Sequence, residues 1–568
     1  MEGWSKKVDG REEFDFLIVG GGSAGCVLAN RLSADGRNRV CLIESGSRDT
    51  SLMIHVPLGF VRLFDHKSLN WCFRSVPQAH LHGRSIFVPR GRVLGGTSSI
   101  NGMVYMRGHP LDYEDWGLEN PGWSYRDVMP YFIRSENNRD FPHSPYHGAD
   151  GPLGVTLPGQ SSPVSRLFLE SARRAGFEDN NDFNGARQEG FGLRQLTQRD
   201  GRRHSAAASY LRDAEGRRNL SVLTGATVDR IIFDGTKAVA VEFLDAQRRR
   251  TLLAARREIV IAAGTIGSPG ILERSGIGDG ERLRALGVEV VADLPGVGRN
   301  LQDHPTATIQ VDCPSAPSYG ISLRALPSLV WSGADYLLRR RGLFASNILE
   351  AGGFVRSDPS LDRPDLQFSF TAARKGSRGH IGLGYGFSLT PILMRPRSRG
   401  SVHVASTDPH AHPDIDFNAF ADPHDLDVLV RGVRLARRIL EAEPLHALGG
   451  REEFPGAGCV TDEEIADFIR RTSATAFHPI GTCRMGRGGD AVVDGALRVK
   501  GVEGLRVVDA SVMPSQICGN TNGPAIMIAE KASDIILGRP PLPRWEYPDE
   551  RLRDTAQPLS SSKQGAVS

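Results

Sequence analysis

The sequence predicts an α/β protein, α+β overall: a Rossmann-like dinucleotide-binding domain joined to a second domain built on an antiparallel sheet and helices. Three observations carry this. A strand, a glycine-rich turn, a helix and a second strand follow one another between Phe14 and Glu44. Period-2 runs such as LQFSF and SVHVAS occur in the middle of the chain, which reads as antiparallel strand. Helical spacing in DLDVLVRGVRLARRILEAE supplies a covering layer. At 568 residues the chain has room for more than one domain.

The first element is the unit FDFLIVGGGSAGCVLANRLSADGRNRVCLIES. Phe14 to Val19 is a short apolar strand, and Gly20, Gly22 and Gly25 complete G-x-G-x-x-G. The first glycine permits a tight turn, the second lets a pyrophosphate reach the backbone, and the third lets helix pack on strand. Ser23 and Ala24 open a helix whose N-terminus offers unpaired N–H groups to phosphate. Arg39 to Ile43 is the second strand, and Glu44 at its end is placed to accept a ribose hydroxyl. An acid there disfavours a 2′-phosphate. The motif does not separate NAD from FAD.

Composition excludes several alternatives. The hydrophobic fraction of 40% and charged fraction of 24% are those of a soluble globular chain. A net charge of +3 makes no case for nucleic acid, and Arg248 to Arg250 and Arg339 to Arg341 read as solvated faces. Seven scattered cysteines without CxxC spacing argue for a reducing compartment and against a disulfide framework or a metal site. The N-terminus has no apolar signal region and no run reaches the roughly 18 residues of a membrane span. The expected location is cytoplasmic, with peripheral attachment to the inner membrane left open.

Three later stretches carry a family likeness: PRGRVLGGTSSINGMVY, GTIGSPGILERSGIG and GLRVVDASVMP. They resemble the glucose–methanol–choline oxidoreductases, flavoproteins that oxidise alcohols, and the resemblance runs from about Phe14 to Leu537. It is nearest to choline dehydrogenases and bacterial FAD-dependent alcohol dehydrogenases. The resemblance implies FAD. It places Gly95, Gly96, Thr97, Asn101, Gly102, Met103 and Val104 along the ribityl chain and ring, with Val228 at the adenine. Asp509 and Ala510 then meet the pyrophosphate and ribityl region. Ile100 stands where family members with a histidine-linked flavin carry that histidine, so the flavin is expected to be non-covalent.

Hydride removal from an alcohol carbon needs a base near working pH and fixed donors for the developing negative charge. His478, in TAFHPIGTCRMG, matches the family's base, and Asn520 matches its partner. Pro479 restricts the backbone of His478. Asn522, Gly523 and Pro524 read as a helix start, with Asn522 as cap, aimed at the flavin's pyrimidine edge. His304 reads as structural, Trp71 as core, and Glu350 as an acid near the active site.

The resemblance also divides the chain: 14–150, 219–312 and 470–538 form a discontinuous FAD-binding domain, and 151–218 and 313–469 a substrate domain. Residues 539–568 form a polar tail, mobile or a peripheral arm. The implied reaction is oxidation of a primary alcohol to an aldehyde by hydride transfer to flavin N5, with electrons passed to a quinone or other carrier. A peroxide-producing oxidase, a choline dehydrogenase, or a non-oxidative relative of the hydroxynitrile lyase or photodecarboxylase type are the alternatives. The oligomeric state is not legible.

Overall fold

The apolar run ahead of the glycines becomes the inner strand of a mostly parallel sheet. In the computed structural model, residues 7–8, 11–320, 326–376 and 380–548 are described. Strand β1 (Arg11–Val19), helix α1 (Ser23–Ser33) and strand β2 (Val40–Glu44) form the predicted first unit. The sheet continues with β3 (Leu220–Thr224), β4 (Thr227–Asp234), β5 (Lys237–Leu244) and β6 (Arg250–Ile261), in the order β3-β2-β1-β6-β5-β4. β3, β2, β1 and β6 run parallel, with Ile18 opposite Leu42 on one side and Val260 on the other. Helix α2 (Gly264–Arg274) leaves the end of β6. Strand β7 (Leu505–Val507) then pairs parallel to β6, and helix α3 (Asn522–Ile536) packs on α1.

β2 is buried at every position, and most of α1 is buried too. Such burial on both sides is what a continuous apolar strand in a parallel sheet requires. Gly25 shows how close the layers are. A Cβ there would lie 1.9 Å from the Gly20 carbonyl oxygen, so only glycine lets α1 descend onto the turn.

The second sheet is antiparallel. Its order is Arg451–Phe454, Ile309–Asp312, Gly386–Leu393, Leu366–Thr371, Ala351–Val355, Gly190–Leu193. Phe368, Phe370, Leu389 and Leu393 point into a core covered by the helix Pro423–Leu440. The alternate residues Gln367, Ser369 and Thr371 face the other way, into a cavity described below.

Two sequence expectations change and a third is narrowed. SVHVAS is a strand, Gly400–His403, but it belongs to a separate three-stranded sheet with Arg299–Leu301 and Asp414–Asp416. Alternation identifies a strand without identifying its partner. The segment limit at 312 falls beyond Ile309–Asp312, which pairs in the antiparallel sheet rather than the parallel one. The near part of the tail is anchored. Trp545 donates its backbone N–H to the Arg126 carbonyl at 2.9 Å and its indole N–H to the Pro145 carbonyl at 3.1 Å. Its aromatic body explains why it docks. The tail beyond residue 548 lies outside the described residues.

Candidate active site

One cavity of about 790 Å³ runs from the first glycine turn to His478. Gly20, Gly22, Ser23 and Ala24 line one end, with Glu44 and Val228 beside them. Gly96, Thr97, Asn101, Gly102, Met103 and Val104 line its middle. Asp509, Ala510 and Asn522 border it from the C-terminal segment, and His478 and Asn520 stand at the far end.

Four predicted contact residues do not line it. Gly25 is spent on helix packing, as its close approach to Gly20 shows. Gly95 lies behind the wall, its N–H donating to the Gly21 carbonyl at 2.7 Å with φ at 86°. Gly523 sits on the Met106 carbonyl, 2.7 Å from where a Cβ would be, and Pro524 is buried in the same turn. Asn522 is the first helical residue rather than a cap: its Oδ1 accepts the Ser23 hydroxyl at 2.7 Å.

The dinucleotide end fits phosphate. No side chain caps the N-terminus of α1, so its first amides remain for a ligand. Glu44 accepts the Gly21 N–H at 2.8 Å and the Gly46 N–H at 2.7 Å. Burial pushes its carboxyl up to about 7 against those two bonds. Asp509 accepts the Gly264 N–H at 2.9 Å, the Ser268 hydroxyl at 2.6 Å and the Ser511 N–H at 2.7 Å. It thereby ties the start of α2 to the end of β7. Ile100, on the cavity wall, is buried and apolar.

The far end is organised around His478. Its Nε2 is 2.9 Å from Asn520 Nδ2, and its Nδ1 is 3.0 Å from His304 Nδ1. The other nitrogen of His304 is 3.1 Å from the Ile517 carbonyl oxygen. A carbonyl only accepts, so His304 Nε2 carries the hydrogen and, in the neutral ring, Nδ1 is an acceptor. His478 Nδ1–H therefore donates to His304, and His478 Nε2 keeps its lone pair, where the Asn520 amide donates to it. Burial holds both rings neutral. His304 is pushed down to about 3, and His478 well below the usual histidine range by burial, then by His304 and Arg90.

The backbone of His478 is clamped on three sides. Its N–H donates to Asp303 Oδ1 at 2.8 Å, and Gln516 donates to its carbonyl at 2.9 Å. Arg90 donates to the Phe477 carbonyl at 2.6 Å, holding that residue at φ 66°, a left-handed conformation unusual for a bulky side chain.

Sequence reasoning missed most of this shell. His304, read as structural, touches the His478 ring, and Asp303, Gln516 and Arg90 hold its backbone. Trp71, read as core, packs against the core beneath the antiparallel sheet and also lines the cavity, between the Phe73 ring and the Arg92 guanidinium. Glu350 does the reverse. It is wholly buried, absent from the cavity wall, and accepts from Ser162, Ser165, Tyr319 and Ser346. The Asp-His pair before Pro305 was the one local signal for His304.

Two family models of GMC oxidoreductases match the chain, an N-terminal one over residues 14–306 and a C-terminal one over 396–529. The chain belongs to the GMC oxidoreductase family. It is 42% identical over 529 residues to an alcohol dehydrogenase [acceptor] from Pseudomonas putida, covering 92% of this chain and 96% of that one. It is also 42% identical to an oxygen-dependent choline dehydrogenase from Pseudomonas fluorescens, covering 94% and 96%. Among solved structures it is similar to pyridoxine 4-oxidase from Mesorbium loti, at 33% identity, 91% and 98% coverage and a TM-score of 0.82. A formate oxidase variant from Aspergillus oryzae gives 25% identity, 93% and 98% coverage and a TM-score of 0.87.

This GMC oxidoreductase is an FAD-dependent enzyme. The uncapped α1 turn, Glu44 and the long cavity provide a place for each part of that cofactor. Among the described residues no group of histidine, cysteine and acidic side chains is arranged to hold a metal ion, and all seven cysteines are free. Nor is any described helix long and apolar enough to cross a membrane.

Proposed function

We propose that the enzyme oxidises a primary alcohol to an aldehyde, with His478 as base, Asn520 as its companion donor and a non-oxygen carrier such as a quinone as acceptor. FAD, when bound, would supply the acceptor for the two electrons that leave the alcohol carbon as a hydride. A hydroxyl entering between His478 and Asn520 gives its proton to Nε2 and accepts the Asn520 amide N–H. The observation that supports this most is the hydrogen-bond chain through both rings: it leaves Nε2 of a half-buried, neutral imidazole without a hydrogen, accepting from Asn520 at the cavity wall. The same reading takes the parallel-sheet portion as the cofactor domain and the antiparallel portion as the substrate domain. It assigns the predicted cavity-lining residues to the flavin, held non-covalently because Ile100 offers no nucleophile.

Anaerobic titration of the holoenzyme with an alcohol panel tests it. Bleaching of the flavin is expected in the wild type. His478→Ala should retain flavin and lose reduction; a variant that reduces at the wild-type rate refutes the assignment. Acid precipitation should release free yellow flavin. Fast re-oxidation by oxygen with peroxide release would favour the oxidase alternative.

The finer location we propose is a membrane surface. The helix Leu326–Arg339 turns Val330, Trp331, Leu337 and Leu338 outward, each at least 70% exposed, beside the exposed Arg339 and Arg341. Apolar side chains flanked by arginines suit an anionic lipid surface, which is also where a quinone resides. Vesicles of phosphatidylglycerol should sediment the enzyme, and Trp331→Glu with Leu338→Glu should abolish it; equal sedimentation would refute the placement.

A further inference from the structure

The cavity wall beyond His478 carries cations without carboxylate partners. Lys375 lines it, its ammonium 3.0 Å from the Thr390 hydroxyl and 3.4 Å from the Thr308 hydroxyl. Arg194 also lines it, 2% exposed, donating to the Leu349 carbonyl at 2.7 Å and to the Ser369 hydroxyl at 3.1 Å. Neither forms an ion pair within the described residues. Their neighbours differ: Arg374 is paired with Glu453, and His380 with Asp65.

Ser369 and Thr390 are directly opposite one another in the antiparallel sheet, so both cations converge on a single cross-strand pair from two sides. The next pair on the same face is Gln367 with Ile392, and Gln367 lies 3.5 Å from the Asn520 amide oxygen. One two-residue step of a strand is roughly 7 Å. The hydroxyl pair that receives the cations thus stands one such step along the sheet from the pair whose Gln367 reaches Asn520. Among the described residues no acid balances the cations there. The carboxylates lining the cavity are Glu44, Asp408 and Asp509. The first and last hold the dinucleotide end, and Asp408 interacts with Arg274 of α2.

We infer that the substrate is an alcohol bearing a carboxylate, whose hydroxyl meets His478 and Asn520 while its carboxylate is held by Lys375 and Arg194. This rests on the alcohol oxidation proposed above and narrows it. A buried cation without a partner is costly, and a ligand anion satisfies it. Burial also pushes the Lys375 ammonium down to about 8 and the Arg194 guanidinium to about 9, the direction expected of cations that no acid supports. A quaternary ammonium substrate meets the wrong sign here. In the reaction the alcohol O–H and C–H bonds break and C=O forms; His478 takes the proton, the hydride would pass to FAD when bound, and the carboxylate is unchanged.

The test compares ω-hydroxyhexanoate with its uncharged methyl ester, measuring anaerobic flavin reduction by the holoenzyme. The wild type should favour the acid in kcat/KM by about tenfold or more, mainly through KM. Lys375→Met should bring that ratio to about one, and Lys375→Arg should restore part of it. A wild-type ratio at or below one, or a ratio that Lys375→Met leaves intact, overturns the inference. If uncharged alcohols bleach the flavin and hydroxy acids do not, alcohol oxidation stands and the anion site falls. If no alcohol of either kind does, the oxidation itself has failed.

Discussion

His304 offers the sharpest test of how the site works. Its Nδ1 accepts the His478 Nδ1–H at 3.0 Å, and its Nε2–H is fixed by the Ile517 carbonyl at 3.1 Å. Replacing it by leucine leaves a buried donor on His478 unpaired and frees the ring to place its hydrogen on Nε2, the nitrogen proposed to take the proton. Leaving a buried donor unsatisfied costs about 1–3 kcal/mol. At 1.36 kcal/mol per decade, that corresponds to a fall of about 5- to 160-fold in the reductive rate. His304→Gln should recover much of it, because an amide oxygen accepts from Nδ1–H as the imidazole does. The pH profile gives a second readout. His478 is held below the usual range partly by His304, and only its neutral form accepts a proton. Rates therefore fall on acidification through the His478 pKa, and this acid limb should move toward neutrality when His304 is removed. Stopped-flow flavin reduction across pH measures both. Equal rates in the wild type and His304→Leu, or equal deficits in the leucine and glutamine variants, would refute the tautomer argument.

Other expectations follow from the same geometry. Gly25→Ala forces a Cβ to within 1.9 Å of the Gly20 carbonyl oxygen, so the variant should purify without flavin or fail to fold, as absorbance and circular dichroism will show. Glu44→Gln puts an amide NH₂ against one of two backbone donors and should weaken FAD retention by about 1–3 kcal/mol, read by flavin release on dilution. Its carboxyl is raised to about 7 when folded, so in the apoprotein ionisation of Glu44 erodes stability as pH rises from about 4.5 to 7; Glu44→Gln should flatten that slope in thermal melts. Arg90→Met should release the Phe477 carbonyl and lower the reduction rate about tenfold with flavin content retained.

The parts visible in the sequence were those encoded within about 30 residues. The strand, glycines, helix, strand and Glu44 follow one another, and each states its backbone need locally. The face of Leu366–Thr371 toward the cavity was also present in its alternation. What escaped was long-range. His304 and His478 are 174 residues apart, and nothing near either states that their rings meet. Gly400–His403 alternates like its neighbours yet pairs elsewhere, because period gives a face and not an address. Glu350 misled because an acid suggests chemistry, whereas four donors consume it beside the antiparallel sheet.

The hydroxyl of Ser23 bonds Asn522, 499 residues later, and Arg31 of the same helix grips Glu530. The turn after the first strand and its lateral support are therefore far apart along the chain but adjacent in space. Any break between Arg31 and Asn522 severs the covalent link across both pairs, so the two halves answer to one another only within an unbroken polypeptide.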